Sequence, residues 1–177
     1  MPGLRPFVLT THRWMGLFSS LILTVAGATG AIMVWPGNSL IRKAAGRLHE
    51  TLALGRPGAL VVLTATAIAV LLELGGLYLW WQRKALRVQV RSGWKRAAFD
   101  LHHLVGAVGF VLMIVIATTA VLAFALGPAP TRQTLMRLHT GNPFGTPVRV
   151  LYSLASLGFA VQGGSGVVMW LRRRGSL

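Results

Sequence analysis

Apolar residues fill four long stretches of this chain, at about 14–36, 57–82, 98–126 and 147–171, and polar residues gather between them. Each stretch reaches the roughly 20 residues that a helix needs to cross the hydrocarbon core of a bilayer. The pattern therefore predicts an all-α membrane protein with four transmembrane helices. A different pattern fills the gap between the first two. From Ile41 to Leu52, the apolar positions 41, 44, 45, 48 and 52 form one helical stripe, with Arg42, Lys43, Arg47 and Glu50 largely outside it. That arrangement predicts a short amphipathic helix at the outer membrane surface. His49 joins its apolar stripe and points towards the bilayer or the bundle, and Gly55 and Pro57 break the chain before the next span.

The pattern repeats. A shift of 90 residues lays His12 on His102, Gly16 on Gly106, Thr29 on Thr119, Gly37 on Gly127 and Arg42 on Arg132. Arg47-Leu48-His49 falls on Arg137-Leu138-His139, and Gly55, Pro57, Gly76, Trp80 and Arg83 fall on Gly145, Pro147, Gly166, Trp170 and Arg173. Apolar low-complexity sequence aligns Leu, Val and Ala by accident, but not His, Arg, Pro and Trp. The match reads as a tandem duplication of a two-helix unit, repeat 1 at 3–87 and repeat 2 at 93–177, within a single transmembrane domain over 1–177. Two spans per unit return the chain to its starting side, so the halves are parallel copies about a pseudo-twofold axis along the membrane normal.

Composition agrees with this picture. The chain is 54% hydrophobic and 12% charged, about half the charged fraction of soluble domains. Its 21 glycines suit membrane helices, where small residues let backbones approach. The first span is too long for a signal-peptide core and lacks a small-residue cleavage site, so it reads as a retained signal anchor. The absence of cysteine excludes disulfides and thiolate metal sites.

The net charge of +15 is distributed for a membrane, not for nucleic acid. Eleven of the 18 Lys and Arg lie at the N-terminus (Arg5, Arg13), in the middle loop (Arg83, Lys84, Arg87, Arg91, Lys95, Arg96) and at the C-terminus (Arg172, Arg173, Arg174). With four spans these places share one side. The positive-inside rule makes that side the cytoplasm of a bacterial inner membrane, with both termini there. The basic tails then meet anionic lipid heads. Trp80, Trp81 and Trp170 read as interfacial belt residues.

Four of the five histidines form two symmetric pairs. His12 and His102 stand at the cytoplasmic ends of the first and third spans; His49 and His139 stand on the outer side, before the second and fourth. A single histidine near a helix end is commonly an interfacial side chain. Retention of two pairs in both halves is what that explanation leaves unaccounted for. Imidazoles from facing helices supply two axial ligands to a planar metal macrocycle. Gly16 and Gly106 follow their histidines by one turn and would leave flat room for such a plane. Zinc and copper fit less well, because no Cys or carboxylate completes either pair; Glu50 beside His49 is matched by Thr140.

The segments "HRWMGL" at 12–17, "GLYLWWQR" at 76–83, "DLHHLVG" at 100–106, "RLHTGNPFG" at 137–145 and "SGVVMWLRRR" at 165–174 resemble the PepSY-associated transmembrane family. The resemblance covers nearly every span. It implies a bacterial inner-membrane protein linked to iron uptake, like the ferric-siderophore reductases that carry b-type haems. It further implies that His12, His102, His49 and His139 ligate iron, giving two bis-histidine haems per chain. The family's large extracytoplasmic PepSY region, normally between the first two spans, is replaced here by about 20 residues.

Two functional classes follow. One is a di-haem cytochrome, an oxidoreductase that passes electrons from a quinol, flavin or reductase on the cytoplasmic side to a ferric chelate or periplasmic partner outside. The other is a non-redox accessory subunit or scaffold of an iron, siderophore or haem transport system. In the first, Arg47 and Arg137, with Arg42 and Arg132, would hold haem propionates or steer an anionic chelate. No dinucleotide fingerprint follows a strand, so the donor is separate. Asp100 reads as a helix N-cap, or else as a residue that orients a histidine. His103, matched by Arg13, reads as an interfacial or supporting side chain. Glu73, matched by Gly163 and lying inside the second span, is either an uncharged buried side chain or a proton carrier.

Overall fold

The computed structural model describes residues 3–82, 93–126 and 129–173. Arg83, Lys84, Arg87 and Arg91 of the expected basic loop, Gly127 of the repeat and Arg174 lie outside the described residues, as do the side chains of Lys95, Arg172 and Arg173. Six α-helices make up the described chain: α1 (Leu4–Met33), α2 (Leu40–Thr51), α3 (Arg56–Trp81), α4 (Trp94–Ala125), α5 (Ala129–Thr140) and α6 (Gly145–Arg173). A 3-10 turn at Asn142–Phe144 precedes α6, and no strand occurs among the described residues. Helices α1, α3, α4 and α6 are each long and apolar enough to cross a membrane.

Phe18, Leu21, Val108, Val111 and Leu154 are exposed along the spans. A soluble protein does not display apolar helix faces this extensive; they are the faces that lipid covers. Inside, Met113 is fully buried, with Leu23, Ile116, Ala117, Tyr152 and Phe159 around the middle of the bundle. The start of α1 and the end of α6 lie at one end of the bundle, the terminal end. Helices α2 and α5 cover the opposite, capped end.

Two expected boundaries move. Helices α1 and α4 begin ten and four residues before their apolar runs, at Leu4 and Trp94. Asp100 is consequently not an N-cap: it lies in the second turn of α4, whose N-cap is Gly93. Nothing in Trp94 to Phe99 stops a helix, and hydropathy alone does not mark where one begins. The Asp100 carboxylate is buried and pairs with Arg96 Nε at 3.0 Å, one turn earlier.

Helix α2 forms where its stripe places it. Ser39 caps its start by accepting from the Arg42 N–H. Its end turns through Leu52 and Ala53, both at positive φ, where the Ala53 N–H closes onto the Arg47 carbonyl. Gly58 in the first turn of α3 then sits against the Thr51 backbone so closely that a Cβ would overlap it. This folds α2 back onto the bundle. At the matching end of α5 a glycine, Gly141 at φ 65°, makes the turn.

Candidate functional site

The four repeat-related histidines come together as two pairs. At the terminal end the His12 and His102 ring centres are 6.3 Å apart, with the rings nearly perpendicular at 84°. At the capped end His49 and His139 are 6.1 Å apart and inclined at 43°. Two imidazoles bound to one metal ion through bonds of roughly 2 Å hold their ring centres about 6 Å apart, each centre lying about 1 Å behind its nitrogen. Both pairs have that spacing. Among the described residues, no three His, Asp or Glu side chains converge on a metal position, so each pair offers two protein ligands and no more. Along α1 the pairs are separated by roughly 16 residues, or about 24 Å at the helical rise.

At the capped end each ring is held from behind. His49 Nδ1 lies 2.9 Å from the Ala26 carbonyl of α1, and His139 Nδ1 lies 2.9 Å from the Ile116 carbonyl of α4, positions 90 residues apart. A carbonyl only accepts, so Nδ1 is the protonated nitrogen in both rings. Nε2 keeps its lone pair for a ligand. Thr29 and Thr119 flank these carbonyls, each hydroxyl donating to the carbonyl four residues earlier; Thr29 Oγ1 also lies 3.3 Å from His49 Nδ1. Burial pushes both His49 and His139 below the ordinary histidine pKa, and at His49 the neighbouring His139 adds to the effect. The capped-end pair is therefore neutral, as a metal ligand must be.

At the terminal end the two copies differ. His102 Nδ1 lies 2.9 Å from Ser165 Oγ, whose own proton goes to the Val161 carbonyl. The ring must donate to that hydroxyl, so His102 too presents Nε2. The position matching Ser165 is Gly75, and the buried Nδ1 of His12 lacks a hydrogen bond of normal geometry. His103 packs against Phe99 with ring centres 4.4 Å apart and lies 6.3 Å from His102, outside the pair.

Gly16 and Gly106 face side chains of α3 and α6. A Cβ at Gly16 would touch Leu72, and one at Gly106 would meet Gln162 Nε2 at 2.6 Å; that amide donates to the His102 carbonyl. The glycines against the imidazoles are Gly76, whose Cβ would stand 3.3 Å from His12 Cε1, and its match Gly166, at 4.0 Å from His102 Cε1. Gly30 does the same for His49, at 3.1 Å. Thr29, Thr119, Gly76 and Gly166 were visible in the sequence as repeat matches, without a role. Ser165 and Gly30 carried no such signal, since their matches are Gly75 and Ala120.

The arginines divide. Arg42 is committed to the end of α1, donating from Nε to the Trp35 carbonyl at 2.9 Å and from Nη2 to the Met33 carbonyl at 3.0 Å. Arg47 and Arg137 are exposed on α2 and α5, with Arg137 lining a shallow surface hollow beside Asn142. Arg132 instead lines a cavity of about 430 Å³ that His49 and His139 also line. Small residues of α3 and α4, among them Ala59, Ala69, Ala117 and Ala120, form much of its wall.

No curated protein and no solved structure matches the chain. A protein family does. The PepSY-associated TM region matches residues 35–132 and 123–173, which takes in α2 to α6 and three of the four paired histidines. The segment before the match, 1–34, supplies His12 and the carbonyl behind His49. A four-span membrane bundle with this match over most of its length is a member of the PepSY-associated TM family.

Proposed function

We propose that this chain is a membrane-embedded b-type cytochrome with two bis-histidine haems, which passes electrons outward across a bacterial inner membrane to ferric iron or a ferric siderophore. The observation that carries the reading is the ring spacing of 6.3 and 6.1 Å in two pairs drawn from matching positions of the chain. The residues fit the group in a second respect: His49, His139 and His102 have Nδ1 engaged from behind, which fixes ring orientation and directs Nε2 to the ligand. The capped-end cavity adds the apolar space that a macrocycle requires. When bound, such a group supplies one-electron transfer with no open coordination position.

The chain's own part is to hold, orient and insulate. Ala26, Ile116 and Ser165 set the tautomers, and Gly30, Gly76 and Gly166 give the rings room. Met113 and its neighbours exclude water between the two ends. The basic terminal end is the cytoplasmic one in this reading, where a quinol, a reduced flavin or a separate reductase is the donor.

Haem content tests the proposal. Protein purified from haem-replete cells should give a pyridine haemochrome of two b haems per chain. His12→Ala and His49→Ala should each leave one, and the double variant none. A colourless preparation would sink the cytochrome and leave the accessory-subunit reading. Either single variant with both haems intact would break the assignment of ligands by end.

A further inference from the structure

The seam between α1 and α6 departs from the 90-residue symmetry. Where α1 meets α6, a Cβ on Gly27 would stand 2.5 Å from the Ser156 carbonyl oxygen and 2.7 Å from the Ala160 nitrogen. A Cβ on Gly163 would overlap Thr24 and stand 2.6 Å from the Ser20 carbonyl oxygen. Glycine at both places lets the two backbones touch. The matching seam is α4 against α3, and there the same two positions are Ala117 and Glu73. A methyl and a longer carboxylic side chain stand there instead, and the cavity of about 430 Å³ reaches between α3 and α4, with Gly27, Ser156 and Phe159 of the glycine seam also in its lining.

The arginines break symmetry in the same sense. Arg42, at the sealed seam's end of the molecule, is spent on the α1 carbonyls. Its match Arg132 makes no hydrogen bond or ion pair among the described residues, is exposed, and lines the cavity with His139. An apolar slot with imidazoles at one place and an exposed guanidinium at its rim is complementary to a flat, apolar ring system with an acidic group on its edge.

We infer that the α3–α4 seam is the side from which the capped-end site takes its tetrapyrrole, and that Arg132 anchors a carboxylate on the edge of that ring. This rests on the cytochrome reading above and adds a direction to it: entry between α3 and α4, opposite the seam that the glycine contacts close. Arg132 is a positioning residue in this arrangement, joined to the ring's carboxylate by a charge-assisted hydrogen bond.

Two variants test it against the detergent-purified full chain. Ala120→Phe places a ring in the slot, while Arg132→Glu reverses the charge at an exposed position where folding is not at stake. Ala120→Phe should drop the pyridine haemochrome from two haems to one per chain, and adding His12→Ala should then remove the last. Arg132→Glu should release one of its two haems to apomyoglobin about tenfold faster than wild type, with the other unchanged; Lys43→Ala, an exposed change on α2, should release both at the wild-type rate. Two haems in Ala120→Phe together with wild-type release from Arg132→Glu would overturn the inference and leave the cytochrome standing. A wild-type chain without haem would overturn both.

Discussion

Ser165 and Gly75 occupy matching positions, yet only Ser165 offers a hydroxyl to its histidine. Orientation of a ligating imidazole by a group behind it commonly changes metal affinity by 10–100-fold. Ser165→Ala should therefore weaken haem binding at the terminal end about tenfold in an absorbance titration of haem-free protein. Gly75→Ser should strengthen it, because a Cβ there would lie 3.6 Å from His12 Nδ1 and its hydroxyl is within reach. At the capped end the histidines are legible from the sequence because both copies kept them. Their backing is not, because Ala26 and Ile116 contribute carbonyls and any residue has one. The lowered pKa values of His49 and His139 fix a pH dependence. The folded state refuses protons that unfolded histidine accepts below its ordinary value of 6.5, so this contribution is fully present above that pH and is lost as pH falls below it. The unfolding temperature of haem-free protein in detergent should fall more steeply below about pH 6.5 in wild type than in His49→Gln with His139→Gln; equal slopes would contradict this.

Between elements, the strongest contrast is the one that separates Gly27 from Ala117. Gly27→Val would drive a branched side chain into the α6 backbone, and overpacking of this kind costs about 3 kcal/mol. Thermal unfolding should show a large loss for Gly27→Val and a smaller one for Ala117→Val, which brings the same side chain to the matched position. Equal effects would mean that the two seams are packed alike. The helices themselves were legible where apolar runs and the α2 stripe marked them. Their starts were not: Leu4 to Arg13 and Trp94 to Phe99 continue a helix outside the apolar run, and this placed Asp100 inside α4. The side of the bundle that opens was equally hidden. It turns on two glycines among 21, Gly27 and Gly163, which are marked out by their contacts between α1 and α6.

Taken whole, the molecule is a four-span bundle, apolar outside, with a pair of imidazoles near each end of its axis. The two pairs lie about 24 Å apart along α1, most of the roughly 30 Å depth of a bilayer's hydrocarbon core. The family match places the chain among PepSY-associated membrane proteins. The proposed electron path adds a single requirement to that placement, namely that each histidine pair shares one haem iron. Low-temperature electron paramagnetic resonance of the oxidised protein reads this directly. Two low-spin ferric signals of bis-imidazole type should be present, one vanishing in His139→Ala and the other in His102→Ala. A high-spin spectrum, a single low-spin species lost in both variants, or no haem signal at all would contradict the account.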